Sequence, residues 1–335
     1  ASNEFVENGI TYDKNSNIIT LNRSSLSSDD VKNYLFSYSG NQRIKDETSN
    51  SDYEYDANGN IHRDALTGFY ISYNLLNLPT VIYTEGDMGL YYTYLSDGTK
   101  IKVCGYDDNE PTRYAGSLVY NDGTFESTGF GSRRIVATSG GMETRYFLTD
   151  HLGSVRQIVA ADGSVIEQND YYPFGKRWAA VAAPISDNRH RFSGKEEQAF
   201  LSLPYVDFGA RMYNPDWGRW FTQDPLAEKY YPWAPYCYCI NNPVKYVDPN
   251  GLDIWEISPT GNITMIKDDK ITKISFVNQK GEETKGYEFS KNDISYREDK
   301  DQEGNSIYLF EIKGDDKAEQ IYNRCLLYTS PSPRD

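Results

Sequence analysis

The chain has 335 residues, and its 34 Lys and Arg against 49 Asp and Glu give a net charge of -15 and an isoelectric point near 4.7. Such an acidic chain lacks the basic surface that binding to a phosphate backbone requires, so we expect no nucleic-acid partner. No apolar run reaches the roughly 18 residues of a transmembrane helix, so we also expect no membrane span.

Tyrosine and turn-forming residues dominate the composition. There are 29 Tyr and 26 Gly, whereas Met and Cys number 4 each. Tyrosine suits the half-buried surface of a pleated sheet, and glycine supplies the backbone freedom that tight turns require. The composition therefore predicts an all-β protein with many short strands. The chain opens on Ala-Ser-Asn-Glu without Met or a signal peptide, and is predicted to be a fragment of a longer polypeptide.

An internal repeat runs through residues 1–145. The heptapeptide Tyr12–Ile18 (YDKNSNI) is echoed by Tyr55–Ile61 (YDANGNI). Weaker copies begin at Tyr38, Tyr73, Tyr94 and Tyr120. Each copy predicts a strand that ends at tyrosine, a reversal of the chain, and a second strand. Consecutive hairpins of this kind merge into one continuous sheet.

The repeat resembles that of a known family. The pattern Tyr-Asp-x-Asn-Gly-Asn-Ile is similar to the YD repeats of RHS proteins, teneurins and the cocoon-forming subunits of insecticidal toxin complexes. In that family the strands wind into a hollow shell, so the resemblance implies YD-repeat hairpins forming a curved, cocoon-like β-shell. The alternative is an ordinary β-solenoid or sandwich whose turns are similar by chance.

The second half of the chain carries an ordered series of motifs. They are Tyr146–Arg156 (YFLTDHLGSVR), Tyr171–Gly175 (YYPFG), Arg191–Glu196 (RFSGKE), Phe208–Pro215 (FGARMYNP), Gly218–Trp220 (GRW), Asp224–Ala227 (DPLA), Asn241–Pro243 (NNP) and Tyr246–Leu252 (YVDPNGL). The series resembles the RHS repeat-associated core, over residues 146–252. The sequence DPLAEKY at residues 224–230 resembles the Bacteroidetes version of this core.

Three residues of the core are candidate catalytic residues: Arg211, Asp224 and Asp248. In self-processing members of the family, aspartates of the core cut the chain just after the closing Asp-Pro-x-Gly-Leu motif, with an arginine nearby. That motif begins at Asp248 here, so the resemblance implies a scissile bond between Leu252 and Asp253.

The chemistry expected of these residues is that of an aspartyl protease. Two close carboxylates cannot both ionise, so the ionised one would activate water while the other protonates the carbonyl or the leaving amine. A fixed guanidinium would stabilise the oxyanion, and a bond in the same chain has a high effective concentration. The alternative is structural: Asp-Pro starts turns well, and Arg211 would then pair with an aspartate in a buried network. The first site also reads Asp-Pro-Leu-Ala and not Asp-Pro-x-Gly.

The histidines and cysteines indicate no metal or cofactor site. The 3 histidines are widely spaced, and the 4 cysteines lack metal-site spacing. We expect Asp150 and His151 to form a hydrogen-bonded structural pair. Cys237 and Cys239 are expected to lie on a strand and to pack on one face of it.

The character of the sequence changes after Leu252. Residues 253–325 lack the repeat and predict a small mixed β/α segment, with strands followed by a helix from Asp315 to Asn323. In RHS proteins this position holds a variable, effector-like domain, here predicted to be truncated, and residues 326–335 are predicted to be a spurious tail. Residues 253–257 (DIWEI) resemble the opening of JAB-like toxin domains. No histidine follows His190, so either the metal-binding part is missing or that resemblance is wrong.

Taken together, the resemblance implies an RHS-type polymorphic toxin that is secreted or located at the cell surface. Its β-shell would enclose the C-terminal effector and release it by aspartyl autoproteolysis after Leu252. The expected partners are that effector segment, an immunity protein and a secretion machinery. The alternative function is that of a cell-surface or wall-associated YD-repeat adhesion protein without toxin activity. No motif favours an enzyme that acts on external substrates.

Overall fold

The structure, a computed structural model, describes residues 6–24, 32–86, 89–105, 111–178, 186–198, 203–230, 232–257, 263–267, 270–273, 286–287, 294–300 and 306–312. The described residues fall into two compact units. Those up to Val244, together with Asn250–Leu252, form the first unit. Lys245–Pro249 and the residues from Asp253 onward form the second. The domain boundaries predicted after residues 145, 252 and 325 stay predictions.

Short strands make up most of the first unit. They are β1 (Val6–Tyr12), β2 (Ile18–Ser24), β3 (Lys32–Ser39), β4 (Gln42–Asp46), β5 (Ser51–Asp52), β6 (Glu54–Tyr55), β7 (Ile61–Arg63), β8 (Tyr70–Tyr73), β9 (Pro79–Tyr83), β10 (Gly89–Tyr94), β11 (Lys100–Gly105), β12 (Thr112–Ala115), β13 (Leu118–Asn121), β14 (Thr124–Phe130), β15 (Arg133–Thr138), β16 (Gly141–Thr149), β17 (Val155–Val159), β18 (Val165–Gln168), β19 (Asp170–Tyr171), β20 (Arg177–Trp178), β21 (Glu196–Glu197), β22 (Val206–Asp207), β23 (Met212–Asn214) and β24 (Arg219–Trp220). The described helical turns are 3₁₀ segments at Phe192–Gly194, Ala227–Tyr230 and Cys239–Asn241.

The strands pair in the order in which they occur along the chain. β1–β5 form a five-stranded sheet, β6–β18 form a 13-stranded sheet, and β21–β24 form a four-stranded sheet, all antiparallel. Strand accounts for 50% of the structure and helix for 4%. The prediction of an all-β protein built from hairpins is therefore confirmed.

One hairpin loop recurs through the first unit. The amide of its first residue donates to the carbonyl of the fifth at 2.9–3.0 Å, and the amide of the fourth donates to the carbonyl of the first. The fourth residue has a positive φ, a conformation that Gly and Asn adopt at least cost. Among the described residues, eight loops have this pattern: 13–17, 56–60, 74–78, 95–99, 150–154, 160–164, 172–176 and 191–195. Four copies of the YD repeat and three motifs of the core thus form the same loop.

An acidic or amide side chain at the first position fixes several of these loops. Asp56 Oδ1 accepts the backbone amides of Asn58 and Asn60, both at 2.9 Å. Asp150 Oδ1 does the same for the residues two and four positions later, both at 3.0 Å. The carboxylate satisfies amides that the turn leaves without a strand partner, which is why Asp or Asn is suited to this position.

Two of the six predicted repeat copies form a different loop. After Tyr38, Ser39 pairs directly with Gln42, and after Tyr120, Asn121 pairs directly with Thr124. These are two-residue turns, a loop type that requires positive φ. The repeat tyrosines were predicted to end their strands. At four copies this is correct, because the tyrosine is the last residue of β1, β6, β8 or β10. At Tyr38 and Tyr120 it is the residue before the last.

The apolar core of the first unit joins the repeat strands to the later motifs. Buried side chains from β3 to β11 pack against Leu203, Tyr205, Met212, Trp217 and Phe221. A second group of aromatic rings surrounds Tyr213 and includes Phe208, Trp220 and Tyr238 at centroid distances of 4.3–5.7 Å. Burial of such large rings contributes most of the packing energy of a core.

The second unit also consists of antiparallel strands where the structure describes it. One sheet contains β25 (Tyr246–Val247), β26 (Trp255–Ile257), β27 (Ile263–Lys267) and β28 (Lys270–Lys273), and another contains β29 (Gly286–Tyr287), β30 (Ile294–Lys300) and β31 (Ser306–Ile312). The predicted helix from Asp315 to Asn323 and the predicted tail at 326–335 lie outside the described residues. Within the described part of the chain, no helix has the length and apolar character needed to span a membrane.

Candidate active site around Arg211

Arg211 lies at the end of a tight turn that introduces β23. Asp207 Oδ1 accepts the amide of Gly209 at 2.8 Å, and the amide of Phe208 donates to the carbonyl of Arg211 at 3.1 Å. Gly209 has a φ of +99°, so the turn needs a residue without a side chain there. The turn directs the arginine side chain into the core, where Arg211 is 2% exposed.

The guanidinium of Arg211 contacts Asp224, Gly251 and the Trp220 ring. Its Nη1 lies 3.0 Å from Asp224 Oδ2, and its Nε donates to the carbonyl oxygen of Gly251 at 2.5 Å. Its Cζ lies 4.2 Å from the centroid of the Trp220 ring. A buried cation is tolerated only when it is paired and bonded in this way, and the ring face adds a further attraction.

Asp224 is positioned by hydrogen bonds of its own turn and by the guanidinium of Arg211. Its Oδ1 accepts the amide of Leu226 at 2.7 Å, and its own amide donates to the carbonyl of Pro235 at 2.8 Å. The remaining oxygen, Oδ2, faces Arg211, and the side chain is 8% exposed. The departure from Asp-Pro-x-Gly at this position leaves a conventional Asp-capped turn, in which one carboxylate oxygen fixes the turn and the other binds the arginine.

The segment Asn250–Leu252 lies directly against Arg211. The amide of Ala210 donates to the carbonyl of Asn250 at 3.0 Å, and Asn250 Oδ1 accepts the amide of Leu252 at 3.1 Å. Gly251 has a φ of +81°, and a Cβ at this position would lie 2.9 Å from the backbone nitrogen of Arg211. Glycine is therefore required for the chain to bring its carbonyl to the guanidinium.

Two of the three predicted catalytic residues are brought together. Arg211 and Asp224 form an ion pair in the first unit, and this pair holds the residue that precedes Leu252. Asp248 is buried in the second unit, where it follows β25, and is 1% exposed. The convergence of Asp248 with the pair, and cleavage between Leu252 and Asp253, stay predictions.

The geometry shows where the arginine lies relative to the predicted scissile bond, and its predicted role in stabilising an oxyanion stays a prediction. The Nε–H of Arg211 is bonded to the carbonyl of Gly251, one residue before the carbonyl of the predicted scissile bond. The guanidinium therefore positions the chain and orients Asp224.

Sequence reasoning missed two participants in this arrangement. The ring of Trp220 packs against the guanidinium of Arg211. Trp220 belongs to the Gly218–Trp220 motif, but the motif does not indicate that its tryptophan contacts Arg211. The carbonyl of Gly251 is a backbone group, and the only available signal was the glycine itself in the closing motif. In both cases the contact joins residues distant in sequence, so no local pattern reports it.

The prediction that Asp150 and His151 form a hydrogen-bonded pair needs correction. Asp150 and His151 have different partners: Asp150 accepts backbone amides of its own loop, whereas His151 Nε2 lies 3.1 Å from the carbonyl oxygen of Val244. The expected pair is therefore wrong, because the loop amides take up the carboxylate.

Cys237 and Cys239 are buried, as expected of packing groups, but the pair does not lie on one strand. Cys239 opens a 3₁₀ turn with a φ of +47°, and Asn241 at its end donates to the carbonyl of Ser16 at 2.8 Å. Burial raises the pKa of the Cys237 thiol to about 12, which keeps it protonated and unreactive. Among the described residues, no group of three or more His, Cys, Asp or Glu side chains is placed to hold a metal ion.

The chain is similar to parts of several known proteins, although no protein-family model matches it. Toxin subunit YenC1 of Yersinia entomophaga is 36% identical over 113 residues, which are 33% of this chain and 11% of that protein. The double-stranded DNA deaminase toxin A of Burkholderia cenocepacia is 34% identical over 114 residues, 32% of this chain and 7% of that protein. Salivary gland surface protein 1 of Aedes aegypti is 37% identical over 105 residues, 31% of this chain and 3% of that protein.

Solved structures share the fold over a longer stretch. The TcdB2-TccC3-Cdc42 structure matches with a TM-score of 0.61 and 23% identity, over 74% of this chain and 13% of that chain. A Photorhabdus luminescens Tc holotoxin pore matches with a TM-score of 0.60 and 22% identity, over 72% of this chain and 13% of that chain. The chain thus has the fold of part of these toxin structures and is similar in sequence to bacterial toxin subunits, but it spans only a small part of each of them.

Proposed function

We propose that the chain is part of an RHS-type toxin-delivery protein whose β-shell encloses a C-terminal effector and releases it by cutting the bond between Leu252 and Asp253. The observation that carries this proposal is the contact of the Arg211–Asp224 pair with the carbonyl of Gly251. Arg211 of this buried ion pair holds the backbone next to the predicted scissile bond. Cleavage at one bond requires the chain to be held in this way, whereas an ordinary turn does not.

The similarity to toxins supports the delivery part of the proposal. The related solved structures include TcdB2-TccC3 without its hypervariable C-terminal region, which matches with a TM-score of 0.59. In this chain the series of core motifs ends at Leu252, where such a region would begin. The effector as partner, an immunity protein, a secretion machinery and a secreted or surface location are parts of the same proposal, as are a Bacteroidetes source and a JAB-like effector.

In the proposed reaction Asp224 is the general base and Asp248 the general acid. The carboxylate of Asp224 takes a proton from water as the water oxygen attacks the carbonyl carbon of Leu252. The protonated carboxyl of Asp248 gives its proton to the carbonyl oxygen, which yields a neutral tetrahedral diol. Arg211 keeps Asp224 aligned and holds the preceding residue in place, so that water meets the carbonyl at a fixed angle.

The diol then collapses and the bond between carbon and nitrogen breaks. The proton held by Asp224 passes to the leaving nitrogen, and Asp248 recovers a proton from a diol hydroxyl. The immediate products are a chain that ends in the carboxylic acid of Leu252 and a fragment that begins with the free amine of Asp253, and the new acid then gives its proton to water or to the amine. Water is consumed once, and both aspartates return to their starting forms.

Intact-mass measurement of the purified chain tests this mechanism. We expect a fragment that starts at Asp253, and we expect Asp224→Asn and Asp248→Asn each to slow its appearance by at least ~100-fold, because general acid and base groups contribute about that much. The carboxamide keeps the shape but cannot exchange the proton. Asp216→Asn is the matched control, since Asp216 also forms an ion pair, with Lys176 at 2.7 Å, but lies outside the proposed site.

The folding of each variant must be compared by circular dichroism, because removal of Asp224 leaves Arg211 buried without its carboxylate. Asp224→Glu restores the charge and should restore part of the cleavage. A folded wild-type chain that stays whole, or an Asp224→Asn variant that cuts at the same bond, would show that these aspartates are turn residues. The similarity to toxins would stand, whereas the proposed release by autoproteolysis would not.

A cell-surface protein without toxin activity is the second candidate. The observation in its favour is the 37% identity with a salivary gland surface protein of Aedes aegypti over 105 residues. Expression of the longer natural polypeptide, followed by protease treatment of intact cells, separates the two. A surface protein should be found whole and accessible on the cells that make it, whereas a delivery protein should release the part that follows Leu252.

A further inference from the structure

A cavity of about 140 Å³, lined by both apolar and charged side chains, lies in the first unit. We call it the arginine cavity and define it by three basic residues, Arg134, Arg145 and Arg189, and two acidic residues, Glu126 and Asp187. It opens to solvent at Asp187, whose side chain is 71% exposed. A water molecule occupies about 30 Å³ in the liquid, so the arginine cavity has room for roughly four waters or for one small anion.

The acidic residues are already engaged by two of the arginines. Arg145 Nη1 lies 2.6 Å from Asp187 Oδ1. Arg189 Nη2 lies 3.1 Å from Glu126 Oε2, and its Nε lies 3.1 Å from Glu196 Oε1. Glu196 in turn binds Lys100 at 2.8 Å, so its charge is shared. The lining of the arginine cavity therefore has three guanidinium groups against two carboxylates.

Arg134 is the arginine of the cavity that forms no direct ion pair with these carboxylates in the part of the chain that the structure describes. It is 9% exposed, and its Nε donates to the hydroxyl of Ser127 at 3.0 Å. Among the residues that the structure describes, Arg134 forms no ion pair within 4.0 Å. Burial lowers the pKa of Arg134 from its usual value, because the nearby charge of Glu126 only partly offsets the loss of water.

The sheet places this cation opposite another. Arg134 of β15 is directly paired with Arg145 of β16 in the strand register. Like charges at directly opposed positions of two strands destabilise a sheet, and a buried cation without a counter-charge costs more. His190, which also lines the arginine cavity, adds no charge, because desolvation lowers its pKa to about 3 and keeps it neutral. A neutral water cluster would hydrate the arginine but could not supply the missing negative charge.

We propose that the arginine cavity is a binding site for a small oxyanion, a phosphate or a carboxylate, which pairs with Arg134. Guanidinium groups bind such ions through paired N–H donors, and the partial burial of the cavity strengthens this interaction. The ion could be free in solution or be the side chain of an acidic residue in a bound peptide, since both present the same oxygen atoms. The proposal is independent of toxin delivery and of cleavage after Leu252.

Calorimetric titration of the whole chain at low ionic strength tests the proposal, with inorganic phosphate, acetate and N-acetylglutamate amide as separate probes. We expect saturable one-site binding of phosphate or acetate if the ligand is a free ion. Saturation by the glutamate derivative alone would indicate a side chain. Arg134→Met should weaken the binding by roughly tenfold to a hundredfold, because it removes charge-assisted hydrogen bonds. Arg113→Met, at an exposed arginine of β12, is the matched control and should bind as the wild type does.

A structural measurement covers the case in which Arg134→Met fails to fold. Crystals of the wild-type chain soaked in selenate should show an anomalous peak beside the guanidinium of Arg134. Absence of that peak, absence of saturable binding by all three probes, or equal binding by wild type and a folded Arg134→Met variant would each overturn the proposal.

Discussion

The sheet β6–β18 and the segment 203–244 are organised in different ways. In the sheet, each strand pairs with the next strand along the chain, and several of the described loops between them, such as 56–60, 74–78 and 95–99, are closed by their own backbone hydrogen bonds. In the segment 203–244 the strands have only two or three residues, yet it contains many of the largest fully buried side chains: Tyr205, Phe208, Arg211, Tyr213, Trp217, Trp220, Phe221, Tyr236 and Tyr238. Local backbone bonding organises the first region, and side-chain packing organises the second.

The segment 203–244 also makes long-range contacts with the other sheet, β1–β5. Arg219 donates to the side chain of Asn17 at 2.8 Å and to the carbonyl of Asn41 at 2.7 Å, so one residue of the segment fastens two hairpin loops. Arg43 of β4 is fully buried, with its Cζ 4.7 Å from the centroid of the Trp217 ring. A hairpin sheet cannot bury its face by itself, and this segment supplies the surface against which it packs.

The largest expected effect comes from removing a ring of the segment. Trp217→Ala should lower the free energy of unfolding by about 3–5 kcal/mol, because Trp217 is 0% exposed and contacts both Arg43 and Phe221. Phe130→Ala in the sheet, where the ring is 65% exposed, should change it by less than about 0.5 kcal/mol. Urea unfolding of both variants measures the contrast. Equal losses would mean that packing does not distinguish the two regions.

An intermediate effect is expected where a charge network joins the regions. Lys100 of β11 lies 2.8 Å from Glu196 Oε2 and 2.6 Å from Asp207 Oδ2. Burial acts to raise the pKa of Glu196, but the nearby Lys100 and Arg189 more than offset this and lower it from 4.5 to about 2. The stability that Glu196 contributes is therefore complete above pH 4.5 and is lost as the pH falls toward 2.

Glu196→Gln should cost about 1.5–3 kcal/mol at pH 7, since Asp207 still neutralises Lys100 but the charge-assisted hydrogen bonds of Glu196 with Lys100 and Arg189 lose their negative partner. The variant should also lose less stability than wild type between pH 5 and pH 3. Urea unfolding at several pH values gives both quantities. Parallel pH curves for the two proteins would show that Glu196 titrates normally in the folded state.

The smallest effect is expected in a single loop. Asp150→Ala should cost about 1 kcal/mol, because the backbone amides of Leu152 and Ser154 lose their acceptor. His151→Ala, one residue away and largely exposed, should cost less than about 0.5 kcal/mol. If His151→Ala is the more damaging change, its contact with the carbonyl of Val244 matters more than the loop does.

The sequence by itself determined the class of fold and the position of most turns. The signature Asp-x-x-Gly works locally: the carboxylate accepts amides two and four residues away, and glycine adopts the positive φ that closes the loop. For this reason the copy at residue 55 predicted its hairpin correctly, and the copy at residue 12 forms the same loop with Ser16 in the place of glycine. The copies at Tyr38 and Tyr120 were also hairpins, but their loop type depended on the register of the flanking strands.

Only the tertiary structure decided which side chains meet. Arg211 contacts Gly251 across 40 residues, Arg219 contacts Asn17 across 202 residues, and three arginines converge on one cavity from two strands and a loop. Such contacts follow from how whole sheets and loops pack, and no spacing along the chain reports them. The reversal of the chain at Cys239 and the separate partners of Asp150 and His151 have the same origin. Local backbone preferences determine where the chain turns, whereas burial of rings and pairing of charges across long distances determine which turns come together.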